Sequence, residues 1–159
     1  MMERSLVLLK PDSVQRGLMG KVISRFEDAG LKMVGVKMVW VKPEFAQKHY
    51  AAHLKKPFYP GLEKMITEGP VLAMVIEGLH AVETIRKIVG PTEPKTAPPG
   101  TIRGDFAHHS CEYTDKKGIA IKNLIHASGD IKEAKEEIGL WFDRKEIHTY
   151  KTVHEMHVF

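Results

Sequence analysis

Two rhythms of apolar residues alternate along this chain. Residues 5–9 form a short apolar run closed by Lys10-Pro11-Asp12, the pattern of a buried central strand. Met19, Val22, Ile23 and Phe26 then recur at helical spacing and stop at Gly30, which predicts an amphipathic helix of about three turns. From 32 to 40 the period changes to two, with Val34, Val36, Met38 and Trp40 on one face, so a strand with that face buried is expected. Pro43 suits the first turn of a helix reaching Tyr50, and Leu62, Met65 and Ile66 suggest a second short helix after Pro57. Residues 71–76 read as another strand. Val82, Ile85 and Val89 share one face of a helix over 81–89 that Gly90 ends.

The remainder is harder to pattern. Residues 90–104 hold Pro91, Pro94, Pro98 and Pro99 and are expected to be irregular; a loop of that length inside a domain is usually functional. Residues 106–118 are polar and also read as irregular, and 119–125 is the last strand candidate. Asp130 with Glu133 resembles a capping box opening a helix that turns Ala134, Ile138 and Trp141 inward. The tail from Asp143 has no clear pattern. With the short helices set aside, the order is β-α-β-β-α-β, an α+β fold. It predicts a ferredoxin-like sandwich, a four-stranded antiparallel sheet covered by helices, in a single domain over 1–159. Such folds host many functions, so the chemistry must come from particular residues.

Composition narrows the field. The chain is 43% hydrophobic and 28% charged, an ordinary globular balance. Its net charge of +4 suits anionic ligands but is too small to argue a dedicated nucleic-acid protein, and no RNP1-like aromatic motif is present. One cysteine, Cys111, excludes an internal disulfide and fits a reducing compartment. The apolar runs are too short to cross a bilayer and the N-terminus lacks signal-peptide design, so a soluble, cytoplasmic protein is expected.

Several familiar motifs are missing: no G-x-x-x-x-G-K-[ST], G-x-G-x-x-G, C-x-x-C, H-E-x-x-H or G-x-S-x-G. Two segments stay unexplained by packing. One is Thr101-Ile102-Arg103-Gly104-Asp105-Phe106. The other is Asn123-Leu124-Ile125-His126-Ala127-Ser128, at the junction of the last strand and the last helix. A histidine and an arginine near a helix start suit an anion such as phosphate.

The pattern N-x-x-H-x-S followed by E-E-I-x-L-W-F resembles the signature of nucleoside diphosphate kinases. Leu8-Leu9-Lys10-Pro11-Asp12, Arg16-Gly17, Lys48-His49-Tyr50, Pro57-Phe58-Tyr59-Pro60-Gly61-Leu62 and the stretch 99–106 resemble the same family in the same order. The resemblance implies ping-pong transfer of a γ-phosphoryl group, mainly from ATP, to a nucleoside diphosphate through a phosphohistidine. It matches His126 to the phosphorylated residue and Glu137 to the carboxylate that orients it. Arg86, Arg103 and Thr92 match phosphate ligands, and Tyr50 a neighbour of the histidine. Lys10 and Asn123 match the groups on the ribose and terminal phosphate, and Phe58 the ring that stacks on the base. It further implies Mg²⁺ carried on the nucleotide phosphates, nucleoside di- and triphosphates as partners, and a homo-oligomer, tetramer or hexamer.

The elementary chemistry agrees. An ordinary imidazole titrates near pH ~6.5, so most of it is a free nucleophile at pH 7. A nitrogen nucleophile divides one transfer between two anions into two in-line steps. Before the resemblance, a non-catalytic binding module on the same sheet and a histidine phosphatase or phosphocarrier are the competing readings. His108, His109 and Cys111, and His154 with His157, read as surface residues with no metal site. The stretch 108–118 makes this chain longer than compact members of the family, and Ala120 is the expected backing of the base.

Overall fold

The two most apolar runs of the chain become the two central strands. In the computed structural model, which describes residues 1–158, the strands are β1 (Met2–Leu9), β2 (Lys32–Val39), β3 (Val71–Leu79) and β4 (Ile125–Ala127). Interleaved with them are α1 (Pro11–Gln15), α2 (Met19–Asp28), α3 (Pro43–His49), α4 (Tyr59–Thr67), α5 (Ala81–Val89), α6 (Ile102–Phe106), α7 (Cys111–Lys117), α8 (Ile131–Trp141) and α9 (Glu155–Val158). Short 3-10 turns lie at Ala51–His53, Pro94–Thr96 and Arg144–Glu146. The sheet order is β2-β3-β1-β4, every pair antiparallel, which is the ferredoxin-like plan.

β1 and β3 pair along their whole length, from Met2 opposite Leu79 to Leu9 opposite Leu72. Both run apolar without alternation because both faces are covered. On one face Val7, Leu9, Met74 and Ile76 pack with Val22 and Phe26 of α2 and Ile85 and Val89 of α5. On the other, Leu6, Leu8, Ala73 and Val75 pack with Ala46 of α3, Ile66 of α4 and Trp141 of α8. Among the described residues no helix is long and apolar enough to cross a membrane.

Four expectations need correction. First, β2 does not bury one whole face: Val34 is buried, but Val36, Met38 and Trp40 are 51%, 53% and 66% exposed. Met33 pairs with Ile76 and Gly35 with Val75, so Val34 is an extra residue in a bulge. The bulge turns Val34 to the α8 face and leaves Val36 and Met38 on the other, at the open rim of an edge strand.

Second, the tail has a place. His148 N–H donates to Val34 O at 2.7 Å, Tyr150 Oη to Met33 O at 2.6 Å, and Lys37 Nζ pairs with Glu146 at 2.7 Å, so the tail straps the bulged half of β2. Gly35 admits it: a Cβ there would come 3.1 Å from Glu146 O.

Third, the proline loop and the stretch after it contain regular turns. Thr101 caps α6 by accepting Gly104 N–H at 3.0 Å. Ser110 caps α7, and Gly118 ends it at φ +61, the left-handed conformation that glycine adopts without strain.

Fourth, the last strand is only Ile125–Ala127, with 119–124 outside it. Leu124 takes φ +71, which breaks the extended path and is costly for leucine. Side chains hold it there: Leu124 N–H donates to Asp12 Oδ2 at 3.0 Å, and Leu124 O accepts from Lys10 N–H at 2.9 Å and Ser13 Oγ at 2.8 Å.

Candidate active site

β4 places His126 opposite Leu8 of β1, with its side chain 23% exposed. Its Nε2 lies 2.8 and 3.0 Å from the two carboxylate oxygens of Glu137. An ionised carboxylate only accepts, so the shared proton sits on Nε2 and Nδ1 keeps the lone pair.

Glu137 is buried in mid α8, an unusual place for a carboxylate without partners. Ser128 Oγ donates to its Oε2 at 2.6 Å and in turn accepts Leu6 N–H at 3.2 Å. Burial pushes the Glu137 carboxyl up. Hydrogen bonds from His126 and Ser128 outweigh that and hold it below its ordinary range. Asp130 caps the same helix by accepting Glu133 N–H at 2.8 Å. The returning arm of the expected capping box goes instead to Gly129 N–H, at 2.6 Å from Glu133 Oε2.

In front of His126 is a cavity of about 300 Å³. Lys10, Tyr50, Arg86, Thr92, Arg103 and Asn123 line it with His126, so seven of the nine predicted residues converge. Glu137 is the eighth, behind the ring. Phe58 is the exception: it is 52% exposed and lines a neighbouring cavity of about 430 Å³ with Gly61 of α4 and Thr114 and Asp115 of α7. Ala120 faces Gly61 beside it. The helix α7 thus borders the cleft in front of Phe58. His109 Nδ1 accepts Lys122 N–H at 3.0 Å and ties that stretch down.

The cations are built in. Lys10 follows β1, is buried, and hydrogen-bonds Asn123 Oδ1. Burial lowers its pKa to about 8, opposed by Asp12 and aided by the Arg103 charge. Asn123 Nδ2 donates to Thr92 O at 2.8 Å, which joins the loop after α5 to the turn before β4. Arg103 donates Nε–H to Asn123 O, one Nη1–H to Gly90 O and one Nη2–H to Ile125 O, at 3.1, 2.9 and 2.6 Å. Two of its five N–H groups remain for a ligand. Burial, then the like charge of Arg86, lowers its pKa to about 10, so it stays charged at neutral pH. Among the described residues none of Lys10, Arg86 and Arg103 is in an ion pair. Cations without a contact ion pair converging on a cleft attract anions.

Sequence reasoning missed three residues as actors: Ser128 beyond its place in the motif, Asp12 as the holder of Leu124, and His49. The His49 side chain is 2% exposed and its Nδ1 is 3.8 Å from Glu137 Oε1. His49, His126 and Glu137 place ligand-type atoms within 4.8 Å of one another. His49 Nδ1 and both Glu137 oxygens are already hydrogen-bonded, which leaves little for a metal ion.

A half-satisfied imidazole facing a cationic cleft on an antiparallel sheet is the equipment of a phosphotransferase. Comparison with known proteins agrees. The family described as Nucleoside diphosphate kinase matches residues 3–147. A nucleoside diphosphate kinase of Pyrococcus abyssi is 53% identical over 148 residues, covering 93% of this chain and 89% of that protein. A transition-state mimic of nucleoside-diphosphate kinase from Borrelia burgdorferi, with bound vanadate and ADP, superposes with TM-score 0.95. It is 44% identical, with 99% of this chain and 96% of that one covered. A halophilic nucleoside diphosphate kinase from Halobacterium salinarum in complex with CDP gives TM-score 0.88, at 41% identity, with 100% and 99% covered. The chain belongs to the nucleoside diphosphate kinase family and is, with it, a phosphotransferase.

Proposed function

We propose that one catalytic domain over 1–159 carries the γ-phosphoryl group of a nucleoside triphosphate, mainly ATP, to a nucleoside diphosphate through a phosphohistidine at His126. The observation that supports this most is the pairing of His126 Nε2 with Glu137 at 2.8 Å, which leaves Nδ1 the available nitrogen of a ring that lines the cationic cavity. The Nδ1 lone pair attacks the γ-phosphorus. An N–P bond forms, the bond to the β–γ bridging oxygen breaks, and that oxygen leaves with the electron pair on the diphosphate. Glu137 accepts the Nε2–H more strongly as the ring turns cationic. A second diphosphate then reverses the step.

Arg86, Thr92, Lys10 and the two free N–H groups of Arg103 hold the phosphates, where charge spreads over the equatorial oxygens. Lys10 and Asn123 hold the ribose. Phe58 stacks on the base, a contact that tolerates every base because each has a π-face. Burial raises the Tyr50 phenol above its ordinary range, so it serves as a neutral donor beside His126.

Mg²⁺ enters as part of the nucleotide. It is a hard cation suited to phosphate oxygens. Glu133 is the carboxylate lining the cavity, and its Oε2 already accepts Gly129 N–H.

The chain acts as a homo-oligomer, tetramer or hexamer. The half of the β2 edge beyond the strapped bulge, with Val36, Met38 and Trp40 exposed, supports this, and light scattering checks it. An exposed thiol at Cys111 suits the expected cytoplasmic setting.

Labelling tests the mechanism. Protein mixed with γ-labelled ATP and Mg²⁺ acquires an acid-labile, base-stable label that GDP removes as GTP. Release as free phosphate instead would make it a phosphatase, and no label would leave a binding module.

A further inference from the structure

His49 is a buried imidazole beside the nucleophile that the reaction above does not use. It is the last residue of α3, and three neighbours define its state. The Trp141 indole N–H, which can only donate, reaches its Nδ1 at 3.2 Å. Nδ1 therefore holds a lone pair, and the neutral ring carries its proton on Nε2, which is buried without a partner. Glu137 Oε1 lies 3.8 Å from this Nδ1 and 2.8 Å from His126 Nε2, so one oxygen faces both rings. The two rings meet at 90° with centroids 5.1 Å apart, and His49 is itself edge-on to Trp141.

This arrangement contains a competition. A proton on His49 Nδ1 breaks the Trp141 bond and puts a cationic N–H beside the oxygen that accepts from His126. His126 then shares Oε1 with a competing donor and is left with Oε2, at 3.0 Å and already accepting from Ser128, so the hold that keeps its proton on Nε2 weakens. We propose that His49 is a positioning residue: fixed by Trp141 as the neutral Nε2–H tautomer, it leaves Glu137 committed to His126 and so keeps His126 Nδ1 the attacking nitrogen. The inference rests on His126 being the nucleophile.

The surroundings favour the neutral form. Burial, then the charges of His126 on β4, Lys10 at the end of β1 and His53 in the 3-10 turn, disfavour a proton on His49. Glu137 on α8 favours one but ranks behind burial and His126. The pKa falls to about 4, so the ring stays uncharged throughout the working range. Tyr50, tilted against it at 4.7 Å between centroids, is a neutral phenol there.

The test is single-turnover phosphorylation by γ-labelled ATP from pH 5 to 9 in wild type, Trp141→Phe, His49→Gln and the double variant. Trp141→Phe keeps a ring against Phe45, which packs edge-on at 4.8 Å, and removes the donor together with part of the buried indole, a loss the double variant shares. Its acid limb should move to higher pH, because His49 can now take a proton next to Glu137. Glutamine accepts from Trp141 and does not titrate. His49→Gln alone should keep the wild-type limb, and the double variant should return to it. A limb unmoved by Trp141→Phe, or equally shifted in the double variant, overturns the inference and leaves His49 a packing residue. As a check free of mutation, ¹⁵N spectra of the wild type should show His49 with Nδ1 bare and Nε2 protonated from pH 5 to 9; the reversed tautomer overturns it too. Absence of label on wild-type His126 would instead sink the reading beneath.

Discussion

The two walls of the cavity are built on opposite principles. The His126 wall is regular structure: a strand in ladder with β1 and a capped helix that brings Glu137 onto the ring. Its side-chain bonds polarise the imidazole proposed as the reacting group. The facing wall, from Gly90 to Leu124, has little ladder, and side chains supply the bonds that a sheet would have made. Arg103 satisfies three backbone carbonyls, Asn123 a fourth group, and Asp12 holds the left-handed Leu124. On the first wall, therefore, chemistry and stability are separable. On the second, the residues that would hold the nucleotide also hold the protein.

Substitutions can break that contrast. The largest effect is expected from His126→Ala, which removes the proposed nucleophile. Transfer should fall by about 10⁴-fold or more while the melting temperature hardly moves, because the side chain makes no bond to the backbone. Arg103→Met should do the reverse of that separation. It strands buried carbonyls and should cost about 3 kcal/mol in urea unfolding as well as nucleotide affinity. Arg86→Met, on an exposed side chain, should cost affinity alone. Equal stability losses in the two arginine variants would erase the distinction between the walls. Glu137→Gln should slow phosphorylation by about 100-fold with nucleotide affinity kept, read by stopped flow.

A pH titration sharpens the account further. Burial lowers the Lys10 pKa to about 8, so the amine is charged below that value and neutral above it. ADP affinity measured by calorimetry should therefore weaken as pH rises through 8, and Lys10→Met should flatten that slope. Without nucleotide the sign for stability is opposite. The charged buried amine opposes folding below pH 8, and stability from this group rises between pH 8 and 10.5 as the folded protein gives up the proton first. The smallest effect is Gly118→Ala at the end of α7. A Cβ there meets nothing within 4 Å, so only the left-handed backbone is penalised, by about 1 kcal/mol, with transfer unchanged.

Much of the architecture was legible in the chain, and the failures have physical causes. β1, β3, α2, α5 and α8 declare themselves because each buries a face whose period a sequence displays. The buried side of β2 is not legible in its alternation because a bulge inserts Val34 and reverses it, and nothing in Val34-Gly35-Val36 announces the bulge. The last strand was drawn too long because 119–125 is apolar enough for one. The turn at Leu124 depends on Asp12 and Ser13, more than a hundred residues away. The helix α7 did carry its signals, Ser110 and Gly118, but seven residues of polar composition hide them. At the site, the motif carries His126 and Asn123 at once, and the separate stretch 99–106 carries Arg103. His49 escaped because its role depends on Trp141 and Glu137 lying one helical turn apart on another element.

The identity of the phosphorylated atom tests the account most directly. Protein trapped with ATP in the absence of a diphosphate, digested in alkali and examined by ³¹P and ¹⁵N spectroscopy, should carry its phosphoryl group on Nδ1 of His126. A phosphoryl group on Nε2, or on any other residue, would contradict the assignment of Glu137 as the partner that reserves Nδ1 for attack.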